Sequence, residues 1–415
     1  MAPQPKTKTP IRATKGKSAR GQTAYIEYKN VDPAIETALY YGFTPLSAPL
    51  TITKEDRERA RSLLGEDRTE PSTLASLLEE KVAMFRHYEE KNLGGHAQPI
   101  MLCAEFLSGH TGKKKVEERR LSFEVMGSGK SVGEATLIQT AFATLREEGH
   151  TDLTLVLNSV GDRDSMNRFL RELGNYYKKH MALLPQSCKT LFRKNPIDLL
   201  KCSHEKCRTL AESAPKSIGS LGDDSRRHFK EVLEFLEELE IPYRIDHSLT
   251  GNRMIASDTL FEIREALPDG TSRTLCSGSR YNSLGKRLGL KRDTPSVGMN
   301  LLFIKERETA SSARRVRFKK PSIFFLQLGF CAKLKSLRII EMMRKARIPL
   351  YQALNRDKLI SQMSSVENLR IPYSIILGQR EALENSVIVR NTSSRAQETV
   401  KLEQLADHFR KLKLA

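Results

Sequence analysis

The chain of 415 residues lacks the marks of a membrane or secreted protein. No apolar run approaches the roughly 20 residues that a bilayer-spanning helix needs, and no leader peptide opens the sequence. A soluble, cytoplasmic protein with no membrane partner is the expectation. The six cysteines, at 103, 188, 202, 207, 276 and 331, are scattered, which argues against a disulfide framework and for reduced thiols. Cys188, Cys202 and Cys207 have His180, His204 and His228 within reach along the chain. A fourth ligand at tight spacing is missing, because GDDS occupies 222–225, so these thiols read as helix packing and no metal is expected. Nor can a Ser-His-Asp or Cys-His nucleophile be argued from spacing. Acidic residues are few relative to basic ones: 50 Asp and Glu against 69 Lys and Arg give a net charge of +19. Such an excess attracts polyanions, and its uneven distribution favours nucleic acid.

Residues 1–22 hold six basic and no acidic residues with three prolines, a composition that predicts a disordered basic tail suited to RNA contact. A large mixed α/β domain follows over 23–307. Helices are expected through DPAIETALYYGF, TLASLLEEKVAMFRHYEEK and SVGEATLIQTAFATLREEG, and strands at RLSFEVM and LTLVLNSVG. A helical insertion is read over about 162–239, before the strand IPYRID. The stretch ETASSARRVRFKK, 308–320, reads as a linker. Residues 321–415 alternate strand and helix, which predicts a small α/β domain with a mostly parallel sheet. From Lys319 onward there are 18 basic and 8 acidic residues, so over half of the excess charge lies in the last quarter of the chain. A docking surface for RNA is expected there.

The segment GSGKS, 127–131, has the look of a phosphate-binding loop between strand and helix. A Walker A loop needs a glycine five residues before its Gly-Lys pair, so that the backbone can wrap the phosphates. Glu124 stands there instead. A carboxylate at that point repels phosphate, and the segment reads as an ordinary turn.

The order of segments resembles the histidyl-tRNA synthetase family. LNSVG (157–161), RKNPIDLLKC with SHEKC (193–207), APKS (214–217) and LEIPYRID (239–246) are similar to its insertion and following strand. TLFEI (259–263), TLCSGSRYNSLGKRLG (274–289) and TPSVGMN (294–300) resemble its closing strands, and 357–383 with ETVKLEQLADHF (398–409) its anticodon-binding domain. The resemblance runs from about Tyr25 to Leu412. It implies an α+β class II synthetase core with an antiparallel sheet and a helical insertion, a C-terminal α/β domain that grips tRNA, a homodimer, and a site for ATP and histidine.

Catalysis in that family is positioning and charge neutralisation by arginines, so the matching positions decide the expectation. Leucine, Leu107, stands where the second motif has its arginine after Phe106. Lys113, Lys114, Lys115, Arg119 and Arg120 populate the loop beyond. In the third motif, Lys305 falls where a helix carries the family's arginine, and the Glu306-Arg307 pair comes two residues late, on the opposite face of a helix. Counting back from Phe261, Gly251 replaces the arginine of the histidine-specific segment, while Ile255 and Ala256 replace its tyrosines; Arg253 is out of register. The Arg-Pro-Glu-Gly-Thr run expected before HYEEK is absent. Glu124, Arg280 and Tyr281 remain as remnants of the substrate pocket. The expectation is a non-catalytic relative that binds tRNA or another structured RNA or regulates a partner, with Lys333, Lys335, Arg344, Arg356, Lys358 and Arg370 as phosphate contacts. It needs no cofactor. The alternatives are a divergent histidine-tRNA ligase, which would require ATP and magnesium, and a regulatory subunit of ATP phosphoribosyltransferase.

Overall fold

The computed structural model describes residues 25–31, 33–64, 78–106, 116–252, 254–306, 314–353, 355–412 and 414. The chain forms two compact units, one from residues 50–307 and one that joins the N-terminal segment up to residue 49 to residues 308–415.

The first unit is built on a sheet whose strands run, across its width, Ile100–Phe106, Val116–Met126, Ser296–Glu306, Ser272–Arg280, Ser257–Ala266, Leu153–Gly161 and Tyr243–Ile245. All neighbours are antiparallel except the last pair. The helix Val132–Glu147 is buried at every residue from Val132 to Leu145. Its small residues, Gly133, Ala135, Ala141 and Ala143, suit an internal helix that is not amphipathic.

The helical insertion begins where Asp162 caps the helix Arg163–Lys179, its carboxylate accepting from the Ser165 N–H at 2.8 Å. Met166, Phe169, Leu173 and Tyr177 recur every three or four residues and form the buried face of that helix. They pack with Cys188, Ile197, Leu199 and Cys207 from the shorter helical segments that follow.

In the second unit the strands lie in the order Tyr351–Gln352, Ile323–Gln327, Tyr373–Leu377, Ser386–Asn391 and Gln397–Lys401. Ile323–Gln327 is wholly buried and parallel to both neighbours, whereas the last two pairings are antiparallel. The sheet is therefore mixed and not mostly parallel. The expected linker also differs: Arg314–Lys319 is a strand, paired antiparallel with Tyr25–Val31. The N-terminal segment packs in this unit, with Tyr41 donating to Glu341 at 2.5 Å and Arg347 paired to Glu36 at 2.9 Å. Sequence pattern alone places that segment in the core, from residue 23, because the long-range pairing that captures it leaves no local mark. The basic tail over 1–22 lies outside the described residues.

Candidate functional site

On one face of the antiparallel sheet, Ser122 and Glu124 stand opposite Asn300 and Gly298 on the neighbouring strand. The helix Leu78–Glu90 crosses this face and sends Lys81 into it. The Lys81 ammonium donates to Glu124 Oε1 and lies 3.4 Å from Ser122 Oγ; both charged side chains are almost fully buried. Ser122 adds a second bond to the same carboxylate oxygen at 3.1 Å. Next to them, Glu80 accepts from Asn300 Nδ2 at 2.7 Å and has Arg120 at 3.3 Å. Lys81 also sits 5.6 Å from the centre of the Tyr281 ring.

This cluster is only partly satisfied. Glu124 Oε2, the Tyr281 hydroxyl and Asn300 Oδ1 have no hydrogen-bond partner among the described residues. Burial raises the Glu124 carboxyl above its ordinary range, against the pull of Lys81, and burial likewise raises Glu80. Gly298 leaves the gap into which Glu124 Oε2 and the Tyr281 hydroxyl project, since a Cβ there would overlap both. Two of the three expected remnants, Glu124 and Tyr281, thus share one pocket. Lys81, Glu80 and Asn300 escape sequence reasoning because nothing local sets them apart from ordinary helix and strand residues.

Arg280, the third expected remnant, does other work. Its guanidinium is fully buried and forks onto Glu134, with Nε to Oε1 at 2.6 Å and Nη2 to Oε2 at 2.5 Å. The same group donates to the Ser128 and Lys130 carbonyls at 2.7 and 3.0 Å. His228 reaches Glu134 from the other side at 2.7 Å. Although burial opposes it, Arg280 and His228 hold the Glu134 carboxyl down at about 2. Burial also disfavours the charged His228 ring, yet Glu134 keeps it above the usual histidine range. Arg280 is therefore a staple between sheet and helix and not part of a substrate pocket.

The same network answers the question of GSGKS. The N–H groups of Gly127 and Ser128 donate to the Pro295 carbonyl at 2.9 and 2.8 Å, and the Ser128 and Lys130 carbonyls are taken by Arg280. A phosphate cradle needs converging N–H groups directed at the ligand. Here two of them are spent on the carbonyl of Pro295, just ahead of the strand Ser296–Glu306.

The positions expected to have lost catalytic groups fare differently. Leu107, Lys113, Lys114, Lys115, Arg253 and Arg307 lie outside the described residues. Lys305 is on a strand, since Ser296–Glu306 continues straight and pairs Lys305 with Glu117. The helical geometry expected there does not hold. Seven residues of strand carry Lys305 roughly 23 Å from Gly298, where a helix would have advanced about 10 Å. Gly251 has φ +61°, and a Cβ would collide with Leu260 Cδ2. Neither backbone nor space there admits an arginine. Arg119 is 2.8 Å from Glu105.

In the second unit, the expected phosphate contacts divide. Lys333 is buried and paired with Asp357, and Arg344 forks onto Glu341 at 2.6 and 2.9 Å. These two form internal ion pairs, which corrects their assignment to an RNA surface. Lys335 binds the Ala382 carbonyl at 2.6 Å and Arg356 the Ser361 carbonyl at 3.0 Å, so each fixes local structure. Lys358 and Arg370 are exposed. Counting charges cannot separate these cases: Asp357 and the Ala382 carbonyl are brought in by the tertiary fold, while Glu341 and the Ser361 carbonyl are local partners that a net charge does not distinguish.

An antiparallel sheet with this connectivity, a helical insertion and a C-terminal α/β domain define a class II aminoacyl-tRNA synthetase-like protein. Residues 332–412 match the family model described as an anticodon binding domain. The chain is similar to the histidine-tRNA ligase of Dehalococcoides mccartyi, 29% identical over 300 residues that make up 71% of each protein. It is 27% identical over 340 residues to that of Macrococcus caseolyticus, covering 79% of this chain and 80% of the relative. The apo histidyl-tRNA synthetase of S. aureus has a TM-score of 0.48 at 21% identity, over 90% of this chain and 93% of that one. The chain is thus histidyl-tRNA synthetase-like over most of its length.

Proposed function

We propose that this chain is a non-catalytic member of its family that binds tRNA or a tRNA-like RNA. The observation that carries the reading is the Lys81–Glu124 pair. In the family the matching glutamate faces the substrate pocket; here an internal ammonium neutralises it and fills the space beside it. A ligand would have to displace a buried ion pair before it could bind, at a cost of several kcal/mol. Gly251 adds support, because its left-handed backbone and crowded surroundings suit a position without a side chain. The matching anticodon-binding domain and the basic C-terminal quarter support the RNA role. Assembly as a homodimer and a cytoplasmic location belong to the same proposal.

Histidine-dependent exchange between ATP and pyrophosphate tests the catalytic half. No turnover above the protein-free rate is expected; clear histidine-dependent exchange would sink the reading and leave the active ligase, which the names of the relatives favour. For the RNA half, affinity for tRNA should fall steeply with salt. Replacing Lys358 and Arg370 by alanine should weaken binding and lower the salt slope by about one for each of the two cations that neutralises a phosphate. Salt-independent or absent binding would remove the RNA role and favour a regulator of another protein.

A further inference from the structure

Three of the six cysteines meet inside the helical insertion. Cys188 lies on the helix Gln186–Lys194, Cys202 follows the turn Pro196–Lys201, and Cys207 is on the helix Glu205–Glu212. Their sulfurs are all within 4.8 Å of one another, and Cys188 Sγ is 3.6 Å from Cys202 Sγ. No other group of three or more His, Cys, Asp or Glu ligands converges in this way among the described residues. A tetrahedral thiolate site with Zn–S bonds of about 2.3 Å has sulfurs roughly 3.8 Å apart. The Cys188–Cys202 edge is close to that spacing, and no edge of the triangle exceeds 4.8 Å.

Two features of the surroundings point to a cation and not to packing alone. The Tyr177 hydroxyl is buried in the same cluster as Cys188 and Cys207 and has no hydrogen-bond partner among the described residues. Neutral thiols are poor acceptors for a phenol, whereas thiolates around a cation are good ones. Residues 178–208 also carry eight Lys and Arg against two acidic residues, a field that suits a site bearing net negative charge.

We propose that Cys188, Cys202 and Cys207 form a three-thiolate site for a soft divalent cation of the zinc class, with a fourth position open on the partly exposed side of Cys202. Binding expels the three thiol protons to solvent and involves no oxidation. The cation ties together three short helical segments that have little regular structure to hold them.

The test uses the full-length chain, reduced and stripped of metal, titrated with cobalt(II). Thiolate-to-cobalt charge transfer and tetrahedral d–d bands are expected to saturate at one equivalent and to be bleached by one equivalent of zinc. Cys202→Ser, at the least buried ligand, should lower affinity at least about tenfold, and Cys331→Ser, at the exposed cysteine of the second unit, should not change it. Should a variant lose its fold, as judged by far-UV circular dichroism, alkylation of Cys202 in the unaltered chain replaces it, and zinc should slow that reaction at least about tenfold. Absence of thiolate-cobalt bands in the folded chain, bands that persist undiminished in a folded Cys202→Ser variant, or alkylation indifferent to zinc would each overturn the site.

Discussion

Two buried charge networks lie on the same sheet and are finished to different degrees. Around Glu134, each carboxylate oxygen has a charged partner, and Arg280 spends its remaining donors on two backbone carbonyls and the Asn282 side-chain oxygen. Around Glu124, one oxygen takes Lys81 and Ser122 while the other, with the Tyr281 hydroxyl and Asn300 Oδ1, goes without a partner among the described residues. A completed network fixes a fold; a half-completed one leaves buried polar atoms for a further group to satisfy. The difference lies in what each protein group would lose if its partner were removed.

Mutation should widen that contrast. Arg280→Met leaves Glu134 buried without its main counter-charge and is expected to cost about 3 to 5 kcal/mol in urea unfolding. Adding Glu134→Leu should not restore stability, because the Ser128 and Lys130 carbonyls stay without a donor. By contrast, Lys81→Met with Glu124→Leu should be neutral or stabilising by about 1 to 4 kcal/mol. Equal losses for the two double variants would erase the distinction.

The pH dependence should separate the networks by sign. Glu134 is held at about 2 against an ordinary 4.5, so its contribution is present above pH 4.5 and is lost as pH falls through 2, on the order of 3 kcal/mol in all. Glu124 is raised, so the folded form holds its proton longer and stability declines as pH rises above 4.5. Urea midpoints measured across pH should keep their acid limb in Glu124→Gln while the decline above it shrinks to the part that Glu80, also raised by burial, contributes. An acid limb that vanishes in this variant would assign it to the wrong carboxylate.

A smaller effect is expected at Gly251. Gly251→Ala should destabilise by more than about 1 kcal/mol, through the left-handed backbone and the clash with Leu260. Gly251→Arg should do no better and should not confer histidine-dependent exchange. Recovery of exchange by that single change would mean that the pocket is intact apart from one side chain.

What is legible in the sequence is local. Leu153–Gly161 coincides with the strand read from LTLVLNSVG, because a run of apolar residues bounded by turn signals suffices to specify it. The family resemblance is legible for a different reason, the joint order of many segments. The pairs that decide function are not, because their partners are distant: Lys81 and Glu124 are 43 residues apart, and Arg280 and Glu134 are 146. Lys81 in particular reads as one more polar residue in EEKVAMF until the sheet beneath it is in place. Arg314–Lys319 is hidden by its charge, since RRVRFK looks like a linker unless the strand that pairs with it, Tyr25–Val31 far earlier in the chain, is known.

That pairing between Tyr25–Val31 and Arg314–Lys319 has a consequence in time. On the ribosome, the first strand emerges and then waits while about 280 further residues are made before its partner begins, roughly 15 to 60 s at ordinary elongation rates of about 5 to 20 residues per second. The unit spanning 50–307 is complete before that. The later-made strand is thus the one that closes on the earlier, and a nascent chain carries an unpaired strand edge until Arg314–Lys319 has been made.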